Sequence, residues 1–203
     1  MKNAKEIKNY IETCREDFWQ KIFQIEVDYL EAHLQNCQDI LSVGCGPAMI
    51  EGELVKRGFR VTGLDISEKA LNCAPDIVRT VAGRAEDRLF PDSSFDAAIF
   101  VASLQFIEDY PEAIKRTAAV LRPEGKIILM LLNPRSGFYN EMRQSPDSYV
   151  NQILHTDTIR MEQDICKYFV FQTEYLLGIR GNDIFPSRDP DLAALYVIEG
   201  RKR

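Results

Sequence analysis

Cysteine is sparse in this 203-residue chain, and its five copies (Cys14, Cys37, Cys45, Cys73 and Cys166) are odd in number and widely scattered. No Cys-x-x-Cys pair occurs, which argues against both a disulfide framework and a thiolate zinc site, and no metal is expected. No run of about 18 apolar residues exists, so no transmembrane helix is expected. Met1-Lys-Asn-Ala-Lys-Glu6 lacks the apolar stretch of a signal peptide. Positive charge is short as well: 25 Lys and Arg face 31 Asp and Glu, for a formal net charge of −6. A nucleic-acid binder would carry a basic face instead. Arg201-Lys-Arg203 reads as a solvated tail, and Lys115, Arg116, Arg122 and Lys126 as surface charge around one helix and its exit turn. Cytoplasmic location is the natural expectation.

What is present suits one sizeable core: the chain is 45% hydrophobic and 28% charged. Ile7, Ile11, Cys14, Phe18, Ile22, Ile25 and Tyr29 recur at spacings of three and four, widened by Trp19, Phe23, Leu30 and Leu34, and predict a packed helix or helix pair. Asp39-Ile-Leu-Ser-Val-Gly-Cys-Gly-Pro-Ala-Met-Ile50 then reads as a buried strand (Ile40 to Val43), a glycine turn at Gly44-Cys45-Gly46, and a helix from Pro47 to Arg57 stopped by Gly58. A strand that ends in glycines and feeds a helix brings backbone N–H groups against a ligand.

Strand and helix alternate from there. Arg60 to Leu64, Ile77 to Ala82, Phe95 to Val101 and Lys126 to Leu132 read as strands. Helices are capped by Ser67 and by Asp109 with Glu112, the second running to about Leu121. Such alternation predicts a doubly wound, mostly parallel α/β sheet with ligands beyond the carboxyl ends of its strands. Asn133 to Tyr149 is turn-rich, Thr156 to Lys167 predicts a helix, and Val170 to Ile179 and Leu195 to Glu199 predict closing strands joined by the loop Arg180 to Pro190.

Asp65 ends the second strand, 65 − 44 = 21 positions after the first glycine of the turn. A carboxylate there accepts hydrogen bonds from a ribose diol. The lesser alternative is a structural Asp that caps the helix at Ser67. Turn and carboxylate together indicate an adenosine-type ligand without separating a nicotinamide from an adenosyl cofactor.

The successive segments Ile40-Leu-Ser-Val-Gly-Cys-Gly-Pro-Ala48, Val61-Thr-Gly-Leu-Asp-Ile-Ser67, Gly83-Arg-Ala-Glu86, Phe90-Pro-Asp-Ser-Ser-Phe-Asp96 and Val120-Leu-Arg-Pro-Glu-Gly-Lys126 resemble, in order, the motifs of class I S-adenosylmethionine-dependent methyltransferases. The type is that of the small-molecule enzymes related to the ubiquinone and menaquinone C-methylases. The resemblance covers Asp39 to Leu132 well and the remainder loosely.

It implies a Rossmann-like seven-stranded sheet with an antiparallel closing strand. It also implies one methyltransferase domain over 1–203: a helical segment (1–36), a cofactor core (37–132), a substrate cap (133–168) and closing strands (169–203). By position, Gly44, Cys45 and Gly46 would lie along the methionine part of S-adenosylmethionine. Asp65 would hold the ribose and Ile66 the adenine face. Arg84, Ala85 and Glu86 would flank the adenine edge, with Val101, Ala102 and Ser103 near the sulfonium. S-adenosylhomocysteine would be the product, and a small molecule the acceptor.

Three positions depart from the family pattern: Ser42 for the usual acid, Ala48 for the third glycine, and Arg84 for the usual Asp. Candidates to orient or deprotonate the acceptor are Gln105, Tyr139 and His155, with Arg143 beside Tyr139. A non-catalytic cofactor-binding or protein-interaction module is the alternative reading, with the aromatic N-terminal helix as a homodimer face. A nucleotide-dependent oxidoreductase is another. Asn133-Pro-Arg-Ser136 lacks the Pro-Pro-aromatic run of base methylation.

Overall fold

The computed structural model describes residues 12–203, so the expectation for Ile7 and Ile11 lies outside the described residues. Helix α1 (Asp17–His33) carries Ile22, Glu26, Val27, Tyr29 and Leu30 as its buried face. Its aromatics pack inside the chain: Trp19 meets Phe138 and Tyr149 edge-on, at centroid distances of 6.3 and 6.4 Å.

Eight strands form one sheet: β1 (Asp39–Val43), β2 (Arg60–Asp65), β3 (Arg79–Ala82), β4 (Phe95–Val101), β5 (Leu121–Leu132), β6 (Phe169–Arg180), β7 (Asp183–Phe185) and β8 (Ala193–Lys202). Their spatial order is β3-β2-β1-β4-β5-β8-β6-β7. The first five run parallel, and β8, β6 and β7 join antiparallel. The order reverses between β1 and β4, which is where such sheets open a ligand crevice.

The count of eight corrects the expected seven. The extra strand is β7, inside the segment read as a loop; its three residues, with polar neighbours on both sides, are too short for an alternation pattern to show. Helices α2 (Met49–Lys56), α3 (Glu68–Leu71), α4 (Tyr110–Val120), α5 (Gly137–Gln144) and α6 (Thr158–Ile165) cover the two faces. Ser67 and Asp109 cap α3 and α4 as expected, accepting from Ala70 N and Glu112 N.

Two boundaries move for physical reasons. Helix α2 starts at Met49 rather than Pro47, because Ala48 holds a left-handed φ of +54° and cannot belong to it. Strand β5 absorbs the Pro123-Glu-Gly125 turn as an irregularity, its register against β4 shifting between Phe95 and Ala97. Helix α5 lies in the segment read as turns: Ser136 caps it, its hydroxyl accepting from Tyr139 N, and Phe138 and Tyr139 form its buried face. The core has two halves, one on each side of the sheet. The half under α1 and α2 holds Leu30, Leu34, Ile40, Leu54, Ile99 and Phe138.

Candidate functional site

The glycine turn is built by three local devices. Gly44 takes φ +74°, and a Cβ there would sit 2.5 Å from Ser103 Cβ, so glycine is demanded twice over. Gly46 takes φ +56°, but a Cβ there would meet nothing within 4 Å, so its open side faces unfilled space. The third device is Asp65. Its Oδ2 accepts from Gly46 N at 2.8 Å and its Oδ1 from Ser67 N at 2.8 Å. Asp65 therefore pins the turn and steadies the start of α3 with one side chain. Each oxygen keeps a lone-pair site, because an ionised carboxylate has about four.

Cys45 lies inside the turn with its sulfur against β2, where a Cβ on Gly63 would come within 2.7 Å of Sγ. Burial, then the Glu51 and Asp65 carboxylates, push its thiol far above the ordinary range. It is no nucleophile at neutral pH.

Ser42, where the family usually has an acid, is 1% exposed, and its hydroxyl donates to Glu51 Oε1 at 2.5 Å. The carboxylate missing from the strand thus arrives from the first turn of α2. Burial raises the Glu51 carboxyl to about 7, with the Ser42 hydrogen bond opposing and Asp65 adding to the rise. Ser42→Asp is expected to destabilise the fold by roughly 2 kcal/mol or more at pH 8, since it sets a second buried carboxylate beside the first. Ser42→Asp with Glu51→Ser is expected to recover most of that loss in urea unfolding. Additive losses would show that the two positions do not exchange roles.

On the far side of Asp65, Ile66 is 57% exposed, an apolar surface beside the turn. Arg84 pairs with Glu86 at 2.8 Å and reaches toward Glu108 at 3.7 Å, so Glu86 is already engaged at this edge. Ala85 packs against the core half on the α4 side.

Past β4, Ala102 takes φ +46° and its N–H donates to Met130 O, while Ser103 Oγ donates to Val43 O at 2.6 Å. Val101, Ala102 and Ser103 thereby stand beside the glycine turn. Gln105 is fully buried and its amide is committed to the fold. Its Oε1 accepts from Leu132 N, and its Nε2 donates to Leu132 O and His155 O. That geometry suits a positioning residue that holds the 154–155 segment against the end of β5.

His155 is half-buried, with Nε2 2.9 Å from Ile107 O and its ring edge-on to Tyr110. Tyr139 is 3% exposed with the Arg143 guanidinium 6.0 Å over its ring. A cavity of about 340 Å³ lined by Asp96, Arg122 and Lys126 lies at the amino ends of β4 and β5, the end of the sheet away from the turn.

Sequence reasoning missed Glu26 and Glu51. Glu26 is 4% exposed, and its Oε2 is the buried side-chain oxygen left without a hydrogen-bond partner among the described residues. Burial, then Glu51, raises its carboxyl to about 8. The signal was available: each is an acid at helical spacing within an apolar stripe, between Ile22 and Tyr29 and between Ile50 and Leu54.

The reversal of strand order, the positive-φ glycines, the spare lone pairs of Asp65 and the exposed Ile66 fit an adenosyl cofactor at the switch point of an α/β fold. Residues 41–129 match the methyltransferase-domain family. Over that span, 89 of the 203 residues, the chain is similar to methyltransferase domains.

It is 29% identical over 171 residues to a biotin biosynthesis bifunctional protein of Cellvibrio japonicus, covering 78% of this chain and 34% of that protein. It is also 29% identical over 124 residues to a ubiquinone biosynthesis O-methyltransferase of Idiomarina loihiensis, covering 56% and 51%. The chain thus spans about a third to a half of the length of these curated relatives. Among solved structures, one from Thermotoga maritima is described as a SAM-dependent methyltransferase, possible histamine N-methyltransferase. It superposes with a TM-score of 0.82 at 18% identity over 98% of this chain and 97% of that one. A structure of an Archaeoglobus fulgidus SAM-dependent methyltransferase gives 0.73 at 15% identity, over 95% and 98%. These two likenesses concern the fold. No helix among the described residues is long and apolar enough to cross a membrane.

Proposed function

We propose that this protein transfers a methyl group from S-adenosylmethionine to a small organic acceptor by in-line displacement. The observation that carries this reading is the joint action of Asp65 on Gly46 N and Ser67 N, which locks the turn and leaves acceptor capacity beside the exposed Ile66. The bound cofactor supplies a methyl group already activated on a sulfonium. The chain's part is to bind, orient and exclude water.

In this reading the turn residues Gly44, Cys45 and Gly46 line the amino-acid part, Asp65 takes the ribose diol and Ile66 the adenine face. Ala85 borders the adenine edge between Arg84 and Glu86. Val101, Ala102 and Ser103 flank the reacting methyl, and α5 with the following 3-10 turn (Tyr149–Gln152) covers the acceptor. Gln105 and His155 set the position of that cover, and Tyr139 anchors it. The named relatives act in ubiquinone and biotin biosynthesis, which supports a small organic acceptor over a macromolecule.

Calorimetric titration with S-adenosylhomocysteine tests the reading. Wild type is expected to bind, and Asp65→Ala to lose roughly a hundredfold in affinity, the equivalent of about two hydrogen bonds to a charged group. Asp65→Asn, which keeps one acceptor oxygen, is expected to fall between. A wild type that does not bind at millimolar ligand would favour the non-catalytic module, for which the capture of Glu86 by Arg84 is the motivating feature.

A further inference from the structure

Glu26 has no role in the methyl-transfer reading so far, yet it is a buried carboxyl with an oxygen that no hydrogen bond satisfies. Burying a carboxyl with an unpaired oxygen opposes folding unless a ligand satisfies it. Its surroundings are of two kinds. Acidic groups face it: Glu51 on α2 couples to it, with Asp65 coupled to Glu51 in turn, and Tyr149 of the 3-10 turn feels its charge. Among the described residues no cation is recorded as acting on Glu26.

Tyr149 is itself part of an aromatic group. Trp19 lies on the same face of α1, seven residues and about 10 Å up the helix, and touches both Phe138 and Tyr149. Phe106, at the exit of β4, stacks on Tyr149 at 6.4 Å and 30°. Tyr149, which feels the Glu26 charge, thus links a carboxyl without a counter-ion to aromatic rings drawn from α1, α5 and the β4 exit.

We infer that the methyl acceptor is a small aryl-alkyl amine, bound with its ammonium group on Glu26 and its apolar body among Trp19, Phe106, Phe138 and Tyr149. This rests on the methyltransferase reading above. An ammonium supplies the donors that Glu26 lacks, and aromatic faces favour a cation once water is excluded. The carboxylate can also take one proton from the bound ammonium, R–NH3+ and COO− becoming R–NH2 and COOH. The nitrogen then holds the lone pair that an acceptor needs. A carboxyl raised to about 8 lies closer in basicity to an alkylamine than an ordinary one does.

The test is calorimetry at pH 7 with saturating S-adenosylhomocysteine, using phenethylamine and the neutral phenethyl alcohol as probes. Wild type is expected to bind the amine at least about tenfold more tightly than the alcohol, a difference of roughly one charge-assisted hydrogen bond. Amine binding should release close to one proton, read from the buffer dependence of the heat. Glu26→Gln should erase the preference while leaving S-adenosylhomocysteine affinity within about threefold, and Glu26→Asp should restore part of it. Urea unfolding checks that both variants fold.

Equal affinity of wild type for amine and alcohol overturns the inference and leaves the methyltransferase reading intact. A Glu26→Gln variant that loses S-adenosylhomocysteine affinity instead overturns it by assigning Glu26 to the cofactor's own ammonium group. Failure of wild type to bind S-adenosylhomocysteine sinks both readings.

Discussion

Between pH 5 and pH 8 the wild-type protein is expected to lose stability, with Glu26 alone contributing roughly 4 kcal/mol at about 1.4 kcal/mol per pH unit. The sign follows from where the proton is held. In the unfolded chain a glutamate ionises near its ordinary value. In the fold, burial raises Glu26 to about 8 and Glu51 to about 7. Over that window the native state holds protons that the unfolded state has released, so each rise in pH favours unfolding.

Below the window the balance reverses. Asp39, Asp96 and Asp164 are held below the ordinary carboxylate range by their partners. Arg60 and Arg122 pair with Asp39, Lys167 and Tyr110 bond to Asp164, and the backbone N–H groups of residues 38 and 39 with Arg122 hold Asp96 against the opposing effect of its burial. Their stabilisation is lost as pH falls through those lowered values. A stability maximum near pH 5 is therefore expected, unusually acidic for a domain with so many surface ion pairs. Urea unfolding from pH 4 to pH 8.5 measures it. Glu26→Gln should flatten the fall above pH 5 and be the more stable protein at pH 8. Parallel curves for the two proteins would show that Glu26 gains access to water or a counter-charge in solution.

The second large effect concerns the turn. Gly44→Ala is expected to cost roughly 2 to 4 kcal/mol, combining about 1 to 2 for a left-handed alanine with the strain of a Cβ driven against Ser103. It should also abolish S-adenosylhomocysteine binding, because relief of the contact has to move Ser103 or the turn itself. Adding Ser103→Gly removes the contact but not the φ penalty, and should recover about half of the stability. Gly46→Ala provides the contrast. With nothing within 4 Å of its Cβ, it should cost only about 1 kcal/mol, yet weaken binding by roughly tenfold or more if a ligand occupies that open side. Chemical unfolding and calorimetry on the same three variants separate the effects. Equal losses of binding and stability at Gly46 would remove the argument that a ligand approaches the backbone there.

The glycine turn, Asp65 and the alternation of strands through Leu132 were legible because each is local. Positive φ selects glycine, a strand buried on both faces reads as a run such as Phe95–Val101, and the spacing from Gly44 to Asp65 is set by one βαβ unit. The departures at Ser42 and Arg84 were legible too, but not their meaning. Ser42 stands in place of an acid while Glu51 brings a carboxylate beside it from α2, and Arg84 stands in place of an Asp while engaging Glu86, the nearby carboxylate. Gln105 read as a candidate for acceptor binding, whereas its amide is spent on Leu132 and His155.

The sequence by itself determined the parallel strands β1 to β5 and the glycine turn after β1, since these show as local patterns and as backbone conformations that few residue types adopt. Only the tertiary structure decided the eighth strand and the burial of Glu26 and Glu51. Trp19, Glu26, Glu51, Phe106, Phe138 and Tyr149 come from five separate segments, and beyond the helical repeat joining Trp19 to Glu26 no spacing rule relates them. What joins them is tertiary packing, which buries Glu26 and leaves one of its oxygens without a hydrogen-bond partner.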